Sequence, residues 1–344
     1  MSPTPAFALC AQLAAAFSQA AAAGLEVWTL QLGPVTLRLE FAGPALPPVL
    51  GRALAHLQIE TVDEPQVTLR IWDTASTGVG RPRLDAPGAQ VVRGLVPAWS
   101  DARHAVAIEG PHHAVSVWDA DTLIGYHHVP AADAVPAYET AFPLRALLSW
   151  ALAAADLQMV HAAAVGTSQA AALIVGRGGS GKSGTALAAL CAGLRYAGDD
   201  YVVIGLSPQA SVYSIYQSAK LLEPDLNHFP ALRPALDRVD ASVGKAVLFL
   251  DALWPDRLAN ALPLRALLVP RIARATHTTF EPVPPAVALR ALAPSSVLQL
   301  PGARAAEFQR MARLAAAVPG FEVALGHDRA EVAAALRTFL EGLA

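Results

Sequence analysis

The chain has 344 residues, of which 54% are hydrophobic and 15% charged, and its formal net charge is −3. This length allows two domains or one elaborated domain with a sizeable core. A weakly acidic chain does not attract nucleic acid or an anionic membrane through bulk electrostatics, so we expect neither as a partner. Cys10 and Cys191 are the only cysteines. They form no Cys-x-x-Cys pair, which argues against a disulfide scaffold or a thiolate zinc site and indicates a reducing compartment.

The N-terminal segment MSPTPAFALCAQLAAAFSQAAAAG has the apolar character of a secretion signal but not its basic start, since the first Lys or Arg is Arg38. Gln12 and Gln19 interrupt the apolar run, so the pattern predicts an amphipathic helix packed on the protein body. The apolar run 146–175 contains polar residues that would be costly in lipid. We therefore expect a soluble, cytoplasmic protein with no membrane partner.

Residues 1–140 predict an α+β domain. Apolar and polar residues alternate there with a period of two, as in half-buried strands. The predicted strands cover 26–32, 35–41 and 66–72, and a helix is predicted over 48–57. Turn formers dominate 73–102, which predicts a loop. A hairpin then follows, with strands at 105–109 and 114–118.

Residues 141–344 predict a second domain of α/β character. Pro143 opens a predicted helix over 144–156. Short apolar runs then alternate with helical segments. The predicted strands are 159–165, 171–175, 201–206, 246–250 and 265–269, and the predicted helices are 184–194, 304–317 and 329–343. The expected fold class of the whole chain is therefore α/β, or mixed α+β when the first domain is included.

The segment 176–183, GRGGSGKS, matches the pattern G-x-x-x-x-G-K-[ST] in full. A polyphosphate needs convergent backbone N–H groups, so side chains must be absent where the loop wraps it. The helix that follows directs its N-terminal N–H groups and dipole at the same charge. The pattern therefore predicts nucleotide binding, with ATP and Mg²⁺ as cofactors.

Within this loop, Lys182 is one of only three lysines in the chain. A flexible ammonium suits the β and γ phosphates better than the rigid fork of arginine, and the hydroxyl of Ser183 suits Mg²⁺. The predicted cofactor-binding residues are Gly176, Gly178, Gly179, Ser180, Gly181, Lys182, Ser183 and Gly184.

Two adjacent carboxylates, Asp199 and Asp200, begin the strand predicted at 201–206. One such carboxylate can bind Mg²⁺ while its neighbour accepts a proton from an acceptor hydroxyl. The sequence leaves open which aspartate does which, and a solvated acidic turn is the alternative. His161 lies on an apolar strand, where a lone histidine is more often a hydrogen-bonded core residue than a catalytic one.

The order of His161-Ala-Ala-Ala-Val, the glycine-rich loop and Gly198-Asp-Asp resembles the HPr kinase/phosphorylase family, whose core is related to phosphoenolpyruvate carboxykinase. Beyond residues 160–206, the chain is similar to a broader bacterial group of HPr-kinase-like serine kinases. Some members of that group phosphorylate a serine on a lasso-type precursor peptide. The resemblance implies a P-loop kinase core of this type over 141–344. The domain 1–140 would then bind the acceptor or a partner.

The resemblance also implies roles for individual residues. The catalytic residues would be Asp199, Asp200, His161 and Lys220. One aspartate would activate the acceptor hydroxyl, and the predicted metal ligands are Ser183 and Asp200. His161 would lie near the γ-phosphate, and Lys220 would contact phosphate or acceptor. We expect a structural role for Lys245.

The sequence departs from the family at two loop positions. Gly184 stands where HPr kinases have glutamate, and Gly178 stands where they have serine. The E-x-R-G-type signature and the arginine-bearing P-x-x-P-G-R segment are missing. HPr itself is therefore not the expected substrate.

The predicted function is an ATP- and Mg²⁺-dependent kinase that phosphorylates a hydroxyl, with serine of a peptide or protein as the expected acceptor. Two alternatives stay open: a small-molecule hydroxyl kinase, and a non-catalytic nucleotide-binding module of a peptide-modification complex. The oligomeric state, a homo-oligomer included, is also left open.

Overall fold

The computed structural model describes residues 5–83, 90–92, 94–110, 113–241, 243–300 and 305–344. The described residues form a mixed α/β structure with three sheets. The chain divides into two compact units, Met1–Ala155 with Leu300–Gly302 and Asp156–Gln299 with Ala303–Ala344. The division falls just after the helix Arg145–Ala154, which corresponds to the helix predicted at 144–156 and belongs to the first unit.

The first unit is built on a seven-stranded sheet with the order β3-β1-β2-β4-β7-β6-β5. The pairs β2–β4 and β4–β7 are parallel and the others antiparallel. The elements in chain order are α1 (Pro5–Ala20), β1 (Leu25–Leu32), β2 (Val35–Ala42), β3 (Gln58–Ile59), β4 (Val67–Asp73), α2 (Thr74–Thr77), β5 (His104–Glu109), β6 (Ala114–Asp119), β7 (Ile124–Val129), α3 (Ala137–Ala141) and α4 (Arg145–Ala154).

Strands β1, β2, β4, β5 and β6 confirm the five strands predicted in this unit. The sequence missed β7, because its residues are almost all buried and show no alternation of apolar and polar residues. The prediction of an α-helix over 48–57 is wrong. Pro47–Gly51 forms a helical turn that is wider than an α-helix, and Arg52–Leu57 forms a 3₁₀ helix, which is tighter. Gly51 lies so close to the Trp28 ring that no Cβ would fit.

Helix α1 confirms the predicted N-terminal amphipathic helix. By length and composition alone, Ala6–Ala23 could cross a membrane. In the structure, Leu9, Leu13 and Phe17 recur every four residues on one helix face and are buried. The Phe17 ring meets the Trp72 ring of β4 edge-on, with centroids 6.0 Å apart. This face therefore packs on the sheet of its own unit.

The second unit contains a nine-stranded sheet and a small three-stranded sheet, β14-β16-β15. The larger sheet has the order β11-β9-β10-β17-β13-β12-β8, with β19 beside β17 and β18 beside β19. The elements are β8 (Gln158–Val160), β9 (Ala163–Gly166), β10 (Ala171–Ile174), α5 (Lys182–Cys191), β11 (Arg195–Gly198), β12 (Val202–Gly205), β13 (Ser211–Tyr213), β14 (Ser218–Leu222), β15 (Leu236–Asp240), β16 (Lys245–Phe249), β17 (Ala261–Ala275), β18 (Thr279–Val283), α6 (Pro285–Gln299), α7 (Ala305–Ala317), β19 (Gly320–Gly326) and α8 (Arg329–Glu341).

The large sheet has an apolar layer on each face. Successive residues of β10 point to opposite faces, so Leu173 joins one layer and Ile174 the other. Helices α5 and α8 contribute to the layer of Ile174, and α6 and α7 to the layer of Leu173. Strand β10 is thus buried on both sides and lies parallel to β17. This rigid strand leads directly into the glycine-rich loop.

The prediction of one continuous strand over 159–165 is wrong, because the structure divides this segment into β8 and β9. Strand β8 pairs with β12, whereas β9 pairs with β10 and β11. A chain that changes partners within one sheet must leave the first ladder before it enters the second. His161 and Ala162 form the step between them.

Candidate active site

The glycine-rich loop joins β10 to α5, in the strand–loop–helix order that the sequence predicted. Gly179 and Gly181 have φ of +78° and +105°, which glycine adopts without the steric cost of a Cβ. A Cβ at Gly178 or Gly179 would meet no atom within 4 Å, so the loop is open on that side. A Cβ at Gly181 would lie 2.8 Å from a Leu325 methyl.

Lys182 is the first residue of α5 and is buried, with 6% of its surface exposed. Its ammonium donates hydrogen bonds to the carbonyl oxygens of Gly176 at 2.8 Å and Arg177 at 3.2 Å. Burial lowers the pKa of Lys182, and the negative charges of Asp199 and Asp200 oppose that shift. Two backbone carbonyl groups of the loop therefore bind the ammonium of the lysine that follows it.

Asp199 contacts the first turn of α5. Its Oδ1 accepts a hydrogen bond from the Ser183 hydroxyl at 3.1 Å. Its Oδ2 is buried and, among the described residues, has no hydrogen-bond partner. Burial, followed by the charge of Asp200, raises the pKa of Asp199 to about 7. The surroundings of Asp199 therefore offset only part of the cost of burying its ionised carboxylate.

Asp200 is bound by two potentially cationic groups. Its Oδ1 lies 3.4 Å from His161 Nε2, and its Oδ2 lies 3.2 Å from Lys220 Nζ. Burial would raise its pKa, but the hydrogen bond from His161 and the charge of Lys220 outweigh this and hold the pKa below its usual range. Asp200 is therefore an ionised acceptor at neutral pH.

Contacts to both the backbone and the ring fix the position of His161. The His161 backbone N–H donates to the hydroxyl of Ser296 on α6 at 3.0 Å. The His161 ring meets the Tyr201 ring edge-on at 5.6 Å, and the Tyr201 hydroxyl donates to Gln299 at 2.9 Å. The step between β8 and β9 thus places the imidazole beside Asp200.

The three-stranded sheet directs two lysines to one of its faces. Lys220 of β14 pairs with Val247 of β16, and Leu222 of β14 pairs with Lys245. Residues two apart on a strand share a face, so Lys220 and Lys245 are diagonal neighbours on the same side. All three lysines of the chain consequently face one cleft.

This cleft has a volume of about 1180 Å³ and opens over the loop and the start of α5. Its lining includes Gly178, Lys182, Ser183, Asp200, Lys220 and Arg329. Of the other predicted site residues, Gly179, Gly181, Gly184 and His161 also line the cleft, whereas Gly176, Ser180 and Asp199 are not part of the lining. The predicted residues thus form one contiguous group.

Among the lysines and arginines that line the cleft, two lay outside the predicted site. Lys245 was expected to be structural, and Arg329 carried no prediction. The lysine count was the available signal for Lys245, since three lysines among 25 basic residues indicate a selective use of that side chain. Arg329 lies about 150 residues from the loop, and no local pattern marks it.

The donor set fits a magnesium ion bound through few protein ligands. Mg²⁺ prefers oxygen ligands and is commonly held by one or two carboxylates together with substrate phosphates. The Ser183 hydroxyl and the unpartnered Asp199 Oδ2 are oxygen donors of this kind. Within the described ranges, no group of three or more His, Cys, Asp or Glu could hold a metal ion by itself.

Comparison with known proteins gives a distant structural likeness. Neither a protein-family model nor a curated protein matches the chain. Among solved structures, the chain is similar to the Hpr(Ser) kinase/phosphatase from Coxiella burnetii, with a TM-score of 0.31 and 14% sequence identity. The match covers 54% of this chain and 95% of that one. The relationship is a distant structural one.

Proposed function

We propose that this protein is an ATP- and Mg²⁺-dependent kinase that phosphorylates a hydroxyl group, with a serine of a peptide or protein as acceptor. One observation carries the proposal: Lys182, Ser183 and the Asp200–His161–Lys220 group line a single cleft, and Asp199 is hydrogen-bonded to Ser183. Phosphoryl transfer requires mainly positioning and charge neutralisation, and this group of side chains supplies both.

The geometry supports a division of labour between the two aspartates. The sequence placed Asp200 at the metal with Ser183, but Asp199 is the one bonded to the Ser183 hydroxyl. We therefore assign Ser183 and Asp199 to the metal. When bound, Mg²⁺ would neutralise charge on the phosphates. Asp200 lines the cleft and would accept the proton of the acceptor hydroxyl.

The remaining side chains act on charge and orientation. Lys182 would exchange its carbonyl partners for the β and γ phosphates, whose negative charge also reverses the effect of burial on its pKa. Lys220 and His161 hold the Asp200 carboxylate in place. Lys220 and Lys245 add positive charge on the side of the cleft formed by the three-stranded sheet. A cytoplasmic location, where ATP is abundant, is part of this proposal.

Radiolabelled transfer tests the proposal. The full chain is incubated with γ-labelled ATP, Mg²⁺ and the peptides encoded beside its gene, and label on a serine hydroxyl is measured. We expect the wild type to transfer label. The transfer rate of Lys182→Ala should be lower by about 100-fold or more, because the phosphates lose their buried cation. Arg195→Ala, which removes an exposed cation at the start of β11, is the matched control.

Each other outcome identifies a different function. Label on a small hydroxyl compound but on no peptide would replace the peptide acceptor with a small molecule. ATP binding without transfer to any acceptor would favour a nucleotide-sensing module. A wild type that binds no ATP would overturn the proposed function.

A further inference from the structure

Gly184 lies in the first turn of α5, where the helix meets the cleft. A Cβ at this position would lie 2.8 Å from the Nη1 atom of Arg329, closer than such atoms approach in practice. Both residues line the cleft. The glycine therefore leaves room for a guanidinium directly beside the helix turn that follows Lys182 and Ser183.

Arg329 is held in this position from two sides. It is the first residue of α8, whose N-cap residue Asp328 accepts a hydrogen bond from the Ala330 N–H at 2.9 Å. Its guanidinium carbon lies 4.6 Å from the centre of the Phe229 ring. A guanidinium over an aromatic face is attracted to the ring, and this contact restricts the positions that the Arg329 side chain adopts.

The donors of Arg329 have no anion within the part of the chain that the structure describes. The side chain makes no ion pair there and no hydrogen bond to another side chain. Arg329 also stands at the N-terminus of α8 and beside the N-terminal turn of α5. Helix N-termini carry partial positive charge, which Asp328 and Glu331 offset at the start of α8, whereas the first turn of α5 contains no acidic residue. A cation beside α5 is therefore unfavourable unless an anion joins it.

An ordinary surface arginine does not account for these features. A surface cation is mobile, pairs with nearby carboxylates and needs no glycine opposite it. Here the guanidinium lies over a ring, a glycine makes room for it, and the N-terminal residues of two helices line the same cleft. The arrangement is that of an anion subsite.

We infer that Arg329 is a second phosphate contact of the nucleotide site and binds the α-phosphate, with Gly184 providing the space. The inference rests on the proposed nucleotide binding. Lys182 and Ser183 serve the β and γ phosphates and the metal, as their residue types require. Gly184 is the next residue along α5 after Ser183.

Calorimetric titration of the full chain tests this assignment. Arg329→Gln should raise the Kd for Mg-ATP and for Mg-ADP by about 10- to 100-fold, because a hydrogen-bonded charge pair is lost. Mg-pyrophosphate fills the β and γ positions only, and its Kd should change by less than about threefold. Arg329→Lys should recover part of the affinity, since it keeps the charge without the fork. Thermal unfolding of each variant checks that the fold is retained.

A double-mutant cycle with Gly184→Ala tests the contact itself. Alanine favours the helix, so this variant should fold at least as well as the wild type. Its Cβ displaces the guanidinium, and the Kd for Mg-ATP should rise by about tenfold when residue 329 is arginine but by less than about twofold in the Arg329→Gln background.

Two results would overturn the inference while leaving the proposed function intact. One is wild-type Mg-ATP affinity in Arg329→Gln. The other is an effect of Gly184→Ala that is equal in both backgrounds. A wild-type chain that binds no Mg-ATP would instead remove the proposed function, and the inference with it.

Discussion

At the scale of single residues, the site depends on how Asp200 is held. Its φ is +62°, in the left-handed region that few residues other than glycine adopt. Asparagine and aspartate tolerate this region better than most residues. The strained backbone aims the carboxylate at His161 and Lys220, while its neighbour Asp199 turns towards Ser183. One peptide unit thus separates two carboxylates with different surroundings.

Asp200→Asn should retain ATP binding and lose transfer. Asparagine keeps the shape and the left-handed backbone, but it cannot accept the acceptor's proton. We expect the transfer rate to fall by about 100-fold or more, the usual contribution of a general base. ATP affinity and the transfer rate are measured on the same preparations, with Asp256→Asn on the exposed surface as control. Wild-type transfer by Asp200→Asn would rule out Asp200 as the base.

At the scale of elements, neighbouring strands bring together groups that the sequence keeps apart. In the first unit, Ser116 of β6 donates to Glu109 of β5 at 3.1 Å and lies 3.0 Å from His127 Nδ1 of β7. Glu139 of α3 is buried and accepts from Arg145 of α4 at 3.1 Å. Burial, followed by the charge of Glu139, raises the pKa of Glu109 to about 7.

The raised pKa of Glu109 predicts a pH-dependent stability. A carboxyl group whose pKa rises on folding stabilises the folded state fully below its unfolded pKa of 4.5 and loses that contribution as pH rises through about 7. The free energy of unfolding of the wild type, relative to Glu109→Gln, should therefore fall by on the order of 2 kcal/mol over this range.

Urea unfolding of both chains at several pH values measures this difference. The variant keeps an acceptor for the Ser116 hydroxyl, so it removes the titration with little change in packing. A difference between the two chains that is constant from pH 4.5 to 7 would show that Glu109 ionises normally in the folded protein.

At the scale of the whole molecule, each unit buries its own apolar core. Five tryptophans, Trp28, Trp72, Trp99, Trp118 and Trp150, belong to the first unit, and Trp254 belongs to the second. The proposed nucleotide site lies entirely in the second unit. Because a ligand stabilises only the structure that it binds, the two units should respond differently to nucleotide.

In Trp254→Phe, tryptophan fluorescence reports the first unit alone. Mg-ATP at 100 times its Kd should stabilise the second unit by about 2.7 kcal/mol and raise its calorimetric midpoint by about 5 °C or more. The fluorescence midpoint should stay unchanged. Lys182→Ala should abolish the calorimetric shift. An equal shift of both midpoints would mean that the two units unfold as one cooperative structure.

The sequence by itself determined the local features. The loop, its lysine and serine, the strand before it and the helix after it follow from residue types at fixed short spacing, because phosphate binding by backbone groups is a local demand. Amphipathic α1 and the alternating strands of the first unit are local in the same sense, since the period of apolar residues decides them. The aspartate pair was also visible, although its two roles were not.

Only the tertiary structure decided how distant residues meet. The break between β8 and β9 comes from a change of pairing partners, which the apolar run 159–165 does not encode. Lys245 and Lys220 share a face because of the register of two strands, and Arg329 reaches Gly184 because α8 packs against α5. Which aspartate binds Ser183 depends on a left-handed turn at Asp200. These are contacts between segments far apart in the chain, and their geometry exists only once the sheets and helices have packed.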